Sequence, residues 1–125
     1  MEKEQDHAKD QAAAQLHSIE EMLSAITKAE GTPEEDELRD QLTQDALEVA
    51  TRTEFNGSRE YMILLCTGGP AVRILGELDD SMEPRPLSAR LQYQDWGTPW
   101  TDYPLTQKEE NTLTDYAQYY YFEIK

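Results

Sequence analysis

The chain has very few of the side chains that most often carry out chemistry. One cysteine, Cys66, among 125 residues excludes an internal disulfide and a cysteine-rich metal site. It lies in the apolar run YMILLC, so we expect a buried and unreactive thiol. The two histidines, His7 and His17, are ten residues apart in a polar segment, and this spacing forms no chelate on one helical turn. No metal site and no cofactor are therefore expected.

Long hydrophobic runs are also missing. No apolar stretch approaches the roughly 20 residues of a membrane-spanning helix. The first residues, MEKEQDHAKDQ, are charged and lack the apolar core of a signal peptide. We therefore expect a soluble, cytoplasmic protein with no membrane partner.

Basic residues are scarce compared with acidic ones. The chain has 26 acidic and 11 basic side chains, a net charge of −15, and residues 1–60 hold 16 of the acids. Such a charge repels nucleic acid and anionic lipid, which bind lysine and arginine. It favours basic partners, including proteins that themselves hold DNA or RNA. The alternative is that the acidity serves solubility alone.

The N-terminal part shows helical periodicity. Apolar residues recur at steps of three and four and form one narrow stripe on a first helix, at Ala12, Leu16, Ile19, Leu23 and Ile26. The stripe either packs internally or closes a homodimer through the N-terminal helices.

A second helix is predicted after the break EGTPEEDEL. Thr32 is its expected N-cap, with Pro33 at the first helical position and Glu35 completing a capping box. The helical face continues through Leu38, Leu42, Ala46 and Val49 and ends at Asn56-Gly57. Residues 1–57 are thus predicted to form an antiparallel helical hairpin.

Residues 58–125 are predicted to form a β-meander and a C-terminal helix. EYMILLCT has the length of a central strand, and GGP is a turn. AVRILGEL is predicted to be the second strand, which runs back beside the first, and SARLQYQDW, in which inward and outward residues alternate, the third. Thr106 to Glu109 is a capping box for a helix that turns Leu113, Tyr116, Ala117 and Tyr120 to the core. The prediction is a single α+β domain, residues 1–125, with the order α-α-β-β-β-α.

No motif in the chain predicts catalysis. TGGP, Thr67 to Pro70, lacks the lysine and the following helix of a phosphate loop and is better explained as a hairpin turn. Neither a D-x-D-x-D-G nor an H-E-x-x-H pattern is present. The tyrosine-rich end, DYAQYYYFEIK, has few positive charges near it, which argues against direct binding of nucleic acid. We expect a protein that is not an enzyme.

The segment YQDWGTPWTDYP, residues 93–104, contains both tryptophans of the chain. It is predicted to cross from the last strand to the last helix. Two tryptophans in one loop are difficult to bury in so small a core, so one is expected to be structural and the other exposed.

Three long strings carry a resemblance to a known group. At ILLCTGGPAVRILGELDD, ARLQYQDWGTPWTDYPLT and YAQYYYFEI, the chain resembles small acidic proteins of bacteriophages and prophages. The resemblance covers roughly residues 61–122. It implies a small accessory protein of a mobile element acting inside a bacterium, and it transfers no catalytic residue. Mobile elements encode compact acidic proteins that block nucleic-acid-binding defences, including anti-CRISPR proteins and restriction inhibitors.

The leading hypothesis is an anti-CRISPR-like inhibitor that is not an enzyme. It would bind a basic host defence protein, such as a CRISPR effector, and block nucleic-acid access. The predicted partner-binding residues are the loop acids, two further aspartates and the tryptophans: Asp79, Asp80, Glu83, Asp95, Trp96, Trp100 and Asp102. The alternatives are a homodimeric phage adaptor and a small-molecule enzyme or binder that uses the Gly-Pro-Trp loop as a lid.

Overall fold

The residues that the structure describes form three helices and one sheet. A computed structural model describes residues 2–95 and 97–122, so Trp96 lies outside the described residues. The elements are α1 (Glu2–Lys28), α2 (Glu34–Thr43), β1 (Glu48–Thr53), β2 (Arg59–Cys66), β3 (Ala71–Leu78), β4 (Arg90–Gln94), β5 (Thr101–Tyr103) and α3 (Gln107–Ala117). The predicted α+β class is confirmed.

The sheet is an antiparallel meander in which each strand lies beside its neighbours in the chain, in the order β1-β2-β3-β4-β5. The three predicted strands correspond to β2, β3 and β4. The prediction of three strands is wrong in number, because the described residues form five.

The first additional strand is β1, where a helix was predicted. α2 ends at Thr43, and residues 48–53 pair with β2, with Val49 opposite Ile63. Asn56-Gly57 forms the hairpin turn between the two strands, and Gly57 has a φ of +89°. Residues 1–57 are thus not wholly helical. The helical spacing that ended at Val49 was misleading, since this segment is rich in the β-branched residues that suit a pleated surface.

The second additional strand is β5, which lies within the predicted crossover. It has three residues and pairs with β4 through Leu91 and Tyr103. Pro99 precedes it and Pro104 follows it, and proline is confined to such edges of sheets.

The start of α2 also differs from the prediction. The N-cap residue is Pro33, which makes no side-chain cap, and the Thr32 hydroxyl donates to the carbonyl of Ala29 at 2.6 Å. The Glu35 carboxylate instead accepts a hydrogen bond from the Gly31 N–H at 2.9 Å. This bond is the main cause of a lowered pKa of the Glu35 carboxyl, and the nearby Arg39 guanidinium lowers that pKa further.

The core lies between the helices and one face of the sheet. α1 packs against β3 and β4 and also touches α2 and α3. Four of the five stripe residues are buried, namely Ala12, Leu16, Ile19 and Ile26. The α1 stripe is therefore used inside the molecule.

The C-terminal helix packs as predicted. Leu113, Tyr116 and Ala117 are fully buried, and Tyr120 is packed against the core. The Tyr116 hydroxyl donates to the Asp45 carboxylate at 3.0 Å and lies 2.7 Å from the Tyr120 hydroxyl. α3 is thereby joined to the connection between α2 and β1.

The capping box at the start of α3 is confirmed. The Thr106 hydroxyl accepts from the Glu109 N–H, and the Glu109 carboxylate accepts from the Thr106 N–H.

Thr106→Ala should lower the free energy of unfolding by about 1 kcal/mol, measured by urea denaturation, because one N-terminal amide loses its acceptor. Thr112→Ala, within the same helix, is the control and should be neutral or slightly stabilising. Equal losses in both variants would contradict a capping role.

Candidate partner-binding surfaces

The predicted partner-binding residues do not lie on one surface. Asp79, Asp80 and Glu83 follow the end of β3, whereas Asp95 follows the end of the antiparallel strand β4. β3 has eight residues and is about 25 Å long, so these two groups lie at opposite ends of the sheet.

The first group is a tight loop. The Asp79 carboxylate accepts from the N–H groups of Ser81 and Glu83 at 2.8 and 3.0 Å, so Asp79 shapes the loop itself. Met82 has a φ of 63°, in the left-handed region. Asp80 and Glu83 are exposed, and their carboxylates are available to a partner.

Asp95 sits in a turn at the other end of the sheet and is only 8% exposed. The Thr98 hydroxyl accepts from the Asp95 N–H and donates to the Asp95 carbonyl, both at 2.9 Å. Together with the predicted hairpin turn at Gly68-Gly69, this turn lines a depression of about 190 Å³. The TGGP segment forms the hairpin turn between β2 and β3, as predicted.

The sheet has a second face, pointing away from the core. We call it the open face, and strand register places on it Ala50, Arg52, Glu60, Met62, Leu64, Arg73, Leu75, Glu77, Arg90, Gln92 and Asp102. Its central apolar residues are half-buried rather than buried.

A polar network crosses the open face and includes two predicted residues. The Arg73 guanidinium carbon lies 4.0 Å from the centre of the Trp100 ring. Arg73 Nε donates to Gln92 Oε1 at 2.9 Å, and Gln92 Nε2 donates to Asp102 Oδ1 at 2.8 Å. The structure thus brings Trp100 and Asp102 together with Arg73 and Gln92. The last two were not predicted, although both alternate outward on strands that pair.

Arg73 has no carboxylate within ion-pair distance among the described residues. Partial burial lowers the pKa of its guanidinium, and the neighbouring Arg52 and Arg90 lower it further.

The densest acidic surface lies on α2, which carries five acids and one base. That base, Arg39, pairs with Glu35 at 2.8 Å and lies over the Tyr119 ring at 5.2 Å. The other four acids, Glu34, Asp36, Glu37 and Asp40, are exposed, and none forms an ion pair with a described residue.

Two depressions that share Gln118 extend from α2 to the Asp79 loop. Arg39, Asp115 and Gln118 line one depression of about 350 Å³. Gln118 also lines a second depression, of about 520 Å³, together with Glu83 and the exposed ring of Tyr121. We define the acidic surface as α2, Asp115 and the loop acids Asp80 and Glu83, with Tyr121 as its aromatic member.

Three other features were considered in the described part of the chain: a metal site, a membrane-spanning helix and a reactive thiol. It contains no group of three or more side chains that could hold a metal ion. None of its helices is long and apolar enough to cross a lipid bilayer. Cys66 is half-buried, and burial raises the pKa of its thiol, which disfavours the reactive thiolate.

Comparison with known proteins gives no relative. No protein-family model matches the chain, and neither a curated protein nor a solved structure matches it significantly.

Proposed function

We propose that this protein is a non-enzymatic inhibitor that binds a basic, nucleic-acid-binding defence protein of a bacterial host, such as a CRISPR effector. Its acidic surface would occupy the groove that normally holds nucleic acid. The observation that supports the proposal is the group of exposed carboxylates on α2 without ion-pair partners among the described residues.

The spacing of these carboxylates suits a basic groove. Glu34 and Glu37 are three residues apart and Asp36 and Asp40 are four apart, so each pair has Cβ atoms about 5–6 Å from each other. α2 is roughly 15 Å long, and the same length of duplex DNA carries about nine phosphates. The helix therefore presents several negative charges over a length that a phosphate-binding groove is built to contact.

The loop acids and Tyr121 extend this contact. Asp80 and Glu83 stand at the far end of the acidic surface, and the Tyr121 side chain is 83% exposed beside them. Interfaces concentrate their binding energy in a few aromatic and charged side chains. Tyr121 supplies such an aromatic contact on the acidic surface, whereas Trp100 and Asp102 lie on the open face.

The proposal is tested with purified RNA-guided nucleases and restriction enzymes whose DNA binding is followed by gel mobility shift. The protein should displace DNA from at least one of them, and inhibition should weaken about tenfold or more from low to high salt because the contacts are ionic. Failure to inhibit any of these enzymes would contradict the proposal.

Two double variants with the same change in net charge locate the contact. Glu37→Lys with Asp80→Lys alters the acidic surface and should weaken inhibition about tenfold or more, because like charges then face each other. Glu21→Lys with Glu77→Lys alters exposed acids on α1 and the open face and should inhibit like the parent. Equal losses in both variants would assign the effect to net charge rather than to this surface.

A further inference from the structure

The turn between β1 and β2 contains one of the two asparagines of the chain. We call residues 54–58 the hairpin tip, and Asn56 and Gly57 are exposed at its centre. The other asparagine, Asn111, is also exposed, but it lies within α3 and is followed by Thr112. The two asparagines therefore differ in backbone conformation and in the residue that follows them, and both are in contact with water.

The hairpin tip is a short, closed turn. The Gly57 N–H donates to the Glu54 carbonyl at 2.9 Å, and the Glu54 N–H donates to the Ser58 carbonyl at 2.8 Å. Gly57 has a φ of +89°, the left-handed conformation that often closes a hairpin loop of this length. A Cβ atom built at Gly57 would meet nothing within 4 Å. The Gly57 backbone is therefore crowded neither by a side chain of its own nor by a neighbour on that side.

The Asn56 side chain is folded back onto the peptide that follows it. Its Oδ1 accepts from the Ser58 N–H at 2.9 Å and from the Ser58 hydroxyl at 2.7 Å. Because a backbone N–H can only donate, the side-chain atom that faces it is the amide oxygen and not the amide nitrogen. Such bonds from an asparagine to the residue two positions later keep the side-chain amide alongside the intervening peptide, here that of Gly57.

We propose that Asn56 is a site of spontaneous deamidation, in which the reacting groups belong to the chain itself and water is the co-reactant. A base from the solvent removes the proton of the Gly57 nitrogen, which then attacks Cγ of Asn56. The new Cγ–N bond closes a cyclic imide, the bond between Cγ and Nδ2 breaks, and Nδ2 takes up a proton and leaves as ammonia. Water then adds to either carbonyl carbon of the imide and opens it to aspartate or isoaspartate.

Ser58 assists the step in which charge develops. As the Gly57 nitrogen attacks, negative charge builds up on Asn56 Oδ1, the atom that already accepts two hydrogen bonds from Ser58. Donors that are in place before the reaction lower the barrier to forming such an oxyanion. The bond from the Gly57 N–H to the Glu54 carbonyl acts in the opposite direction, because it must open first. Backbone hydrogen bonds in an exposed turn open at little cost.

Asn111 lacks these features and serves as a control within the same chain. The nitrogen that would attack it belongs to Thr112, in the middle of α3, where backbone N–H groups are held by the helix. The β-branched side chain of Thr112 also crowds that nitrogen. Deamidation at Asn56 would make the hairpin tip one charge more negative, and the isoaspartate form would add a methylene group to the main chain there. This site is separate from the acidic surface and does not depend on the proposed inhibitory function.

Ageing the purified full-length chain in warm, mildly alkaline buffer tests the proposal. Anion-exchange chromatography should show a more negative form that accumulates with time, and faster at higher pH because the nucleophile is the deprotonated nitrogen. Peptide mass spectrometry should place the change, with isoaspartate among the products, at Asn56 and find Asn111 intact. Asn56→Gln should not form the more negative species on the same timescale. An intact Asn56, or equal modification of both asparagines, would overturn the proposal.

Two substitutions at Ser58 test the contribution of the turn. Ser58→Ala removes the hydroxyl that donates to Asn56 Oδ1 and should slow the accumulation about threefold or more, the effect of losing one hydrogen bond to the developing charge. Ser58→Thr keeps a hydroxyl at the same position and should age at nearly the parent rate. Ageing of Ser58→Ala at the parent rate or faster would overturn the role assigned to the turn.

Discussion

Gly76→Ala is expected to lower the free energy of unfolding by about 3 kcal/mol. A Cβ atom at position 76 would lie 2.4 Å from the Cζ and Oη atoms of Tyr61, on the neighbouring strand. The Tyr61 ring is 1% exposed and packs against Phe122 with ring centres 5.0 Å apart, so it has little room to move. The loss would be measured by urea denaturation followed by circular dichroism.

Gly69→Ala is the matched control for this substitution. Gly69 has no positive φ, and a Cβ atom built there meets nothing within 4 Å. Its replacement should be neutral or stabilising by up to about 1 kcal/mol, because alanine restricts the unfolded chain.

A double-mutant cycle assigns the cost to one contact. In a Tyr61→Leu background the ring is absent, and Gly76→Ala should then cost much less than in the parent chain. An unchanged cost in that background would show that the ring is not the obstacle.

The second large effect is a loss of stability in alkali. Tyr61 and Tyr116 are almost completely buried, and burial raises the pKa of both phenols well above 10. The hydroxyl of Tyr120 and the carboxylate of Asp45 raise the pKa of Tyr116 further. In the folded protein both side chains therefore stay protonated in solutions that ionise them in the unfolded chain.

The direction of the effect follows from proton counting. Above a pH of about 10 the unfolded chain has lost these protons while the folded chain keeps them, so the free energy of unfolding falls as pH rises. Each buried tyrosine contributes a slope of about 1.4 kcal/mol per pH unit, or about 3 kcal/mol per unit for the two. The stabilisation is fully present below pH 10 and is lost toward the folded-state pKa. Urea denaturation from neutral pH to beyond pH 11 measures the slope.

Two phenylalanine variants separate ionisation from hydrogen bonding. The Tyr61 hydroxyl is buried and has no hydrogen-bond partner in the described structure, so Tyr61→Phe should reduce the alkaline slope without loss at neutral pH. Tyr116→Phe should reduce the slope equally but cost about 1–3 kcal/mol at neutral pH, since it removes a donor from the Asp45 carboxylate. An alkaline slope that neither variant changes would contradict this account.

The elements that the sequence predicts correctly are those in which the local residue pattern matches the way the element packs in the fold. The α1 stripe, the TGGP turn, the alternation around Leu91 and the Thr106 capping box all appear in the structure. The sequence predicts helix rather than strand at β1 because Leu42, Ala46 and Val49 follow helical spacing. The β-branched residues and Asn56-Gly57 are typical of a strand and a hairpin turn instead. These local signals outweigh the helical spacing only because β2 provides a strand for β1 to pair with.

The candidate surfaces are less predictable because they are formed by residues that are far apart in the sequence and are brought together by the pairing of strands. Arg73 and Trp100 are 27 residues apart and meet through the register of β3, β4 and β5. The short strand β5 has too few residues for periodicity to identify it. Gln118 likewise lines both of the depressions between α2 and the Asp79 loop, an arrangement that no local pattern encodes.

The position of α1 has a consequence for synthesis on the ribosome. This helix is made before the strands that cover its apolar stripe, β3 and β4, which end at Leu78 and Gln94. At usual rates of translation the 66 residues between Lys28 and Gln94 take roughly 3–13 s to make. During that interval the nascent helix has no sheet to pack on. The acids and polar residues around its narrow stripe would then limit aggregation of the growing chain.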